Sequence, residues 1–193
     1  MLDIILASNS QRRKDLLKKI NLKFKVIVSN FDESSIPDDN INPQNYCKTL
    51  AFKKAEIVSK KYKDSLIIGA DTIVYFDNKI IGKPKDKKQA QNHLRKLSDN
   101  IHYVYTGVSV LNDNLNLNLS LIDKTKVTFN KLSTNEINYY IDNYKPYDKA
   151  GSYGIQDWSS VFVKKIDGCF YNVVGFPLPK FYKLLNKLKL KKD

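Results

Sequence analysis

The chain is poor in the residues from which disulfide scaffolds, metal clusters and nucleophilic triads are built. It has two cysteines in 193 residues, and Cys47 and Cys169 match no metal-ligand spacing and no disulfide framework, which leaves buried or incidental thiols. It also has only two histidines. His93 falls in a helical stretch and His102 at the start of a strand, and neither belongs to a His-Cys or His-Ser arrangement with a third partner, so a nucleophilic triad is not expected. Long apolar runs are missing too. Ile4-Ile5-Leu6-Ala7 is too short for a signal-peptide core and is followed by arginines, and nothing approaches a membrane span. A soluble, cytoplasmic protein without a membrane partner is expected.

Acidic residues are scarce relative to basic ones: 20 Asp and Glu stand against 33 Lys and Arg, a formal charge of +13. A field of that size attracts phosphate-bearing ligands and can bind nucleic acid. However, the lysines are dispersed and accompanied by many asparagines, isoleucines and tyrosines. General compositional drift accounts for this better than a dedicated nucleic-acid surface. With 42% hydrophobic residues the chain is not disordered, and its length suits one sizeable core or two lobes sharing a cleft.

Strand and helix patterns alternate along the sequence. Strands are predicted at Asp3–Ala7, Phe24–Val28, Leu66–Ile68 continuing through Tyr75, Ile80-Ile81 after an Asp77-Asn78-Lys79 turn, Ile101–Leu111, Leu115–Phe129 and Ser160–Lys165. Helices are predicted at Gln11–Ile20, from Asn42-Pro43 to about Lys61, at Asp86–Leu97, at Thr134–Asn143 with Ser133 or Thr134 as cap, and at Pro177–Lys189. Crossover helices favour parallel strands and hairpins require antiparallel ones, so the expected class is α/β with a mixed sheet. No repeat or linker interrupts the order. The tail from Lys183 to Lys192 is a basic amphipathic pattern, most often a solvated face.

The segment Leu6-Ala7-Ser8-Asn9-Ser10-Gln11-Arg12-Arg13-Lys14 runs from a strand into the start of a helix, where free N–H groups and guanidinium forks can face an anion. An ordinary helix capped by Ser10 is the competing reading. Yet three cations in a first turn oppose the macrodipole unless an anion or acidic neighbour offsets them. Asp71, in Gly69-Ala70-Asp71-Thr72 between two apolar runs, is a carboxylate where burial is expected. That placement is costly unless the group is paired or bound to metal, although a turn tether would also explain it.

Lys83 in Gly82-Lys83-Pro84 is a point charge held between a permissive and a rigid residue, though such tripeptides are often surface turns. Lys54, by default, is a solvated helix lysine. Asp32-Glu33 after the second strand either holds Mg²⁺ or Mn²⁺ beside a polyphosphate or forms a charged loop. The stretch Ala150-Gly151-Ser152-Tyr153-Gly154-Ile155-Gln156 ends in an amide able to read a base edge.

Taken in order, Leu6-Ala7-Ser8-x-Ser10-x-Arg12-Arg13, Asp32-Glu33, Lys54-Ala55, Gly69-Ala70-Asp71-Thr72, Gly82-Lys83-Pro84, Thr106-Gly107-Val108, Lys149-Ala150-Gly151-Ser152-Tyr153-Gly154-Ile155-Gln156 and Asn172-Val173-Val174-Gly175-x-Pro177 resemble the Maf family of nucleoside triphosphate pyrophosphatases over nearly the whole chain. The resemblance implies one domain over residues 1–193, with two lobes around a deep cleft, similar to inosine triphosphate pyrophosphatases. It implies hydrolysis of a nucleoside triphosphate to the monophosphate and pyrophosphate with a divalent metal, Mg²⁺ or Mn²⁺, and it suggests a homodimer.

By matching position, Asp71 is the implied proton acceptor, and Ser8, Ser10, Arg13, Lys54 and Lys83 are the implied phosphate-binding set. Glu33, with Asp71, is the implied metal or water ligand. Arg12, Thr72 and Gln156 look like the specificity positions of the branch acting on dTTP and UTP, in which a house-cleaning role is expected. The family commonly has proline where this chain has Gln11, so slightly looser pre-organisation of the first helical turn is expected. Two other classes are weighed. A catalytically weak nucleotide-binding regulator linked to septum formation would need the same grip, whereas a nucleic-acid-binding protein would leave Asp71 and Asp32-Glu33 without a role.

Overall fold

The computed structural model describes residues 2–37 and 42–188. Residues 189–193, with the end of the predicted last helix and of the basic tail, lie outside the described residues. Seven strands form one mixed sheet: β1 (Ile4–Leu6), β2 (Lys25–Val26), β3 (Leu66–Phe76), β4 (Lys79–Ile81), β5 (Ile101–Asn112), β6 (Leu117–Phe129) and β7 (Val163–Asp167). The spatial order is β2-β1-β3-β5-β6-β7, with β4 also paired to β3. β1 is parallel to β2 and β3, and the remaining pairs are antiparallel. The expected mixed α/β class is therefore the observed one. Tight turns at Asp77-Asn78, both with positive φ, close the β3–β4 hairpin in the handedness that suits twisted strands.

The helices are α1 (Gln11–Lys18), α2 (Pro43–Ser59), α3 (Lys87–Leu97), α4 (Thr134–Tyr144), α5 (Phe170–Val174) and α6 (Leu178–Lys187). Ser133 caps α4 in a reciprocal pair with Glu136, which decides between the two predicted cap residues. Asn42 caps α2 ahead of Pro43. Ser10 does occupy the N-cap of α1, but its side chain makes no capping bond. Among the described residues, no helix is long and apolar enough to cross a membrane.

Two predicted strands shift, and one helix is added. The second strand shortens to two residues, because only Ile5 and Leu6 of β1 face it. The strand predicted at Ser160–Lys165 starts at Val163. The chain before it winds into a 3₁₀ turn, Trp158–Phe162, in which the Asp157 carboxylate accepts from the Ser159 N–H, local chemistry that competes with strand pairing. Helix α5 was not predicted from its aromatic and β-branched sequence. It is fixed by Asn172, whose Nδ2 donates to the Val104 carbonyl at 3.0 Å and to Thr125 Oγ1 at 2.9 Å.

Alternation along β3 divides the core. Leu66, Ile68, Ala70 and Val74 pack with residues of α1, α3, α4 and α6. Ile67 and Ile73 pack instead with residues of α2, including Ala55, Val58 and Leu50. α2 lies almost on the backbone of the sheet. A Cβ on Gly69 would stand 2.2 Å from the Ala51 carbonyl oxygen, and one on Gly107 would stand 2.7 Å from the Cys47 carbonyl oxygen. Gly69→Ala is therefore expected to lower stability by about 1–3 kcal/mol or more through overpacking against backbone that cannot yield. A urea unfolding midpoint equal to that of the wild type would contradict this.

Candidate active site

β3 is paired with β5 along most of its length, from Ile67 to Tyr75. Its other edge is covered by β1 only at Leu66–Ile68 and by β4 only at Val74–Phe76. Among the described residues, no strand covers the edge between Ile68 and Val74, and a cleft of about 680 Å³ opens there. Ser8, Ser10, Arg12, Arg13, Glu33, Lys54, Asp71, Thr72, Lys83 and Gln156 all line it. Residues spread over most of the sequence thus meet at one strand edge, a position where α/β sheets commonly receive ligands.

Asp71 and Thr72 are successive in the strand and face opposite sides of the sheet. On the α2 side, Asp71 is 5% exposed and Lys54 9%, and Lys54 Nζ lies 2.5 Å from Asp71 Oδ1 and 2.8 Å from Glu33 Oε1. Lys54 is thus the buried partner of two carboxylates and not the solvated lysine its helix suggests by default. Asp71 is likewise a paired buried carboxylate and not a turn tether. Lys83, exposed at the rim, reaches the same Glu33 oxygen at 3.3 Å. Burial pushes the Glu33 carboxyl up, but the ammonium groups of Lys54 and then Lys83 outweigh it, leaving the group below its ordinary value. Asp32 turns away from this cluster and accepts from Ser34 N and Oγ at 3.0 and 2.7 Å.

Beneath Asp71, Cys47 of α2 is wholly buried. Its Sγ accepts from the Gly107 N–H at 3.0 Å and donates toward the Asp71 carbonyl at 3.1 Å. Burial, reinforced by the Asp71 carboxylate, pushes this thiol up, so it acts as a protonated tie between α2 and the two strands. Of the two readings offered by the sequence, buried or incidental, Cys47 takes the first. Cys169 is free and partly buried.

On the α1 side, the basic triplet is offset by acceptors from its own strand–helix junction and from distant segments. Arg13 donates from Nε to the Gly175 carbonyl at 3.0 Å, from Nη1 to Ser8 Oγ at 3.0 Å and from Nη2 to Thr72 Oγ1 at 3.1 Å. Burial pulls its guanidinium down from the usual range, against the attraction of Asp71. Arg12 pairs with Asp148 at 2.9 Å, and Lys14 donates to Asn9 Oδ1 at 3.1 Å. The acidic neighbour that the helix dipole called for is Asp148, which no local pattern in the sequence singled out. Asp148 also meets Lys149 at 2.6 Å. Gln156 is exposed at the rim. Its loop is anchored by the Gly154 N–H, which donates to Tyr140 OH and Ser159 Oγ.

Both histidines support the glycine-bearing loop from behind. His93 Nδ1 lies 2.8 Å from Ser152 Oγ, and His102 Nε2 lies 2.8 Å from Tyr153 OH. Burial depresses His102 to about 3, so it is a neutral ring in an aromatic cluster with Phe129 and Tyr153.

Residues 3–188 match the family described as Maf-like protein. The chain is 50% identical over 192 residues to a dTTP/UTP pyrophosphatase of Clostridium botulinum (strain Kyoto / Type A2), covering 97% of this chain and 98% of that protein. It is 48% identical over 187 residues to a dTTP/UTP pyrophosphatase of Clostridium novyi (strain NT), covering 96% and 97%. Among solved structures, a HAM1 protein from Coxiella burnetii is similar in fold, with a TM-score of 0.50 at 16% identity over 97% of this chain and 100% of that one. The family match takes in every segment that lines the cleft, from the β1–α1 junction to Gly175, and on that match this chain belongs to the Maf-like protein family.

Proposed function

We propose that the cleft hydrolyses dTTP and UTP to the monophosphate and pyrophosphate, a house-cleaning activity carried out by a single two-lobed unit in the cytoplasm, with a homodimer as its assembled form. The observation that carries this reading is the buried Lys54–Asp71 pair, joined by the half-exposed Glu33, on an uncovered strand edge, facing a cleft otherwise rich in cationic side chains. Relatives 50% and 48% identical over nearly the whole chain bear that activity in their names.

In the proposed reaction, water attacks the α-phosphorus in line with the departing pyrophosphate. Asp71 takes the water proton. Its Oδ1 is held by Lys54, which leaves Oδ2 as the accepting oxygen. Arg13, Lys54 and Lys83, with Ser8 and Ser10, stabilise the charge that develops on the phosphates. Ser10 suits this role because its hydroxyl makes no helix-cap bond.

The donor set fits a hard divalent cation, Mg²⁺ or Mn²⁺: the carboxylates of Glu33 and Asp71 converge on one positive centre, the Lys54 ammonium. A hard cation held by these two carboxylates would draw its remaining ligands from phosphates and water. When bound it supplies charge neutralisation at the phosphate oxygens. Arg12, Thr72 and Gln156 select the base.

Asp71→Asn is expected to lower turnover on dTTP by about 10²–10⁴-fold in a pyrophosphate-release assay, the range of a lost general base; near-normal turnover would exclude the assignment. Gln156→Ala is expected to act on choice rather than chemistry. The kcat/KM ratio of dTTP to purine triphosphates should fall by about tenfold with turnover on dTTP largely kept, and an unchanged ratio would remove Gln156 from base selection. Chelation with EDTA is expected to abolish hydrolysis, and added Mg²⁺ or Mn²⁺ to restore it. Full activity in the chelated protein would refute the metal requirement.

A further inference from the structure

Thr106 lies in β5 directly across from Thr72 in β3. It is wholly buried and is not among the residues lining the cleft. Its hydroxyl carries one hydrogen, and Oγ1 lies 3.0 Å from the Asn172 carbonyl, a group that can only accept, so the hydrogen points there. Asn172 is itself fixed by the two hydrogen bonds that its Nδ2 donates to β5 and β6.

Thr72 Oγ1 lies 3.0 Å from Thr106 Oγ1. With the hydrogen of Thr106 committed to Asn172, Thr72 has to be the donor of that bond. The other acceptor within reach of Thr72, the Gly175 carbonyl at 3.3 Å, also draws its hydrogen into the protein. Arg13 Nη2 meanwhile donates onto Thr72. Thr72, which does line the cleft, therefore turns toward a ligand a lone pair and no hydrogen.

We propose that Thr106, out of reach of any ligand, sets base preference by fixing Thr72 as an acceptor. This point of the cleft then favours a ring N–H, as in the imide of thymine or uracil, over the ring nitrogen lone pair of cytosine. Thr106 is a positioning residue, and the inference rests on the proposed nucleotide hydrolysis with the base beside Thr72. A hydroxyl free to rotate serves either partner, whereas one whose hydrogen is held inward meets the wrong base with two opposed lone pairs.

The test is kcat/KM for dTTP and dCTP, by pyrophosphate release, in the wild type, Thr106→Val and Thr106→Ser. Thr106→Val leaves the hydroxyl hydrogen of Thr72 only the longer bond to Gly175, and the dTTP to dCTP ratio is expected to fall about fivefold or more, mainly through KM. Thr106→Ser keeps the hydroxyl and is expected to keep the ratio. If Thr106→Val does not yield folded protein, Thr106→Ala removes the hydroxyl without adding a methyl group and is read in the same way. An unchanged ratio in a variant lacking the hydroxyl, or an equal fall in Thr106→Ser, overturns the inference while dTTP hydrolysis by the wild type leaves the pyrophosphatase reading standing. A wild type that does not hydrolyse dTTP overturns both.

Discussion

The uncovered edge of β3 is the constraint from which the site follows. β1 ends at Leu6, opposite Ile68, and β4 ends at Ile81, opposite Val74, so the strand is flanked on that side at its two ends and open between Ile68 and Val74. Within that gap, the strand period puts Asp71 on the α2 face and Thr72 on the α1 face. Everything else in the cleft is arranged around that pair. Lys54 and Glu33 address Asp71, while Arg13 and Gly175 address Thr72. A one-residue slip of β3 would exchange the two sets and bury each against the wrong partners, so the registers with β5 and β1 specify the site as well as the fold.

The close approach of α2 makes the Asp71 side possible. Only because Gly69 and Gly107 lack a Cβ does the helix backbone come near enough for Lys54 to meet Asp71 and for Cys47 to hydrogen-bond across both strands. A buried pair of this kind is weak evidence of stabilisation, since desolvation offsets most of the attraction. Removing one partner from such a pair costs roughly 3–5 kcal/mol because the other charge is left uncompensated. An arrangement that gains little net stability and is costly to disturb is better explained by chemistry at the cleft than by folding.

Most of the architecture was legible because its signals are local. Alternation marked β5 and β6, Ser133-Thr134 marked the start of α4, and Asp77-Asn78 marked a hairpin. What was not legible depends on partners distant in sequence. The 3₁₀ turn at Trp158–Phe162 displaces a strand pattern because Asp157 and the Gly154 loop capture Ser159, and α5 exists where Asn172 finds β5 and β6. The same holds at the cleft. The family resemblance drew attention to ten of the lining residues, but nothing in the sequence around Lys54 distinguishes it by itself from a surface lysine. Nor did any pattern announce that Asp148 would offset Arg12, 136 positions away, or that Thr106 would stand behind Thr72.

The hydrogen-bond accounting also separates the floor of the cleft from its rim. On the floor, Asp71, Lys54, Thr72 and Arg13 are held by protein partners before any ligand arrives, so their dipoles and charges need little rearrangement on binding, the condition under which electrostatic groups act most strongly. At the rim, Lys83, Asp148 and Gln156 are largely exposed, and their contacts are ion pairs in solvent or none that fix a geometry. Exposed pairs contribute little stability and exchange partners readily. On the proposed reading, the rim therefore captures and orients the nucleotide, while the fixed floor performs the proton transfer on one face of β3 and contributes Thr72 to base selection on the other.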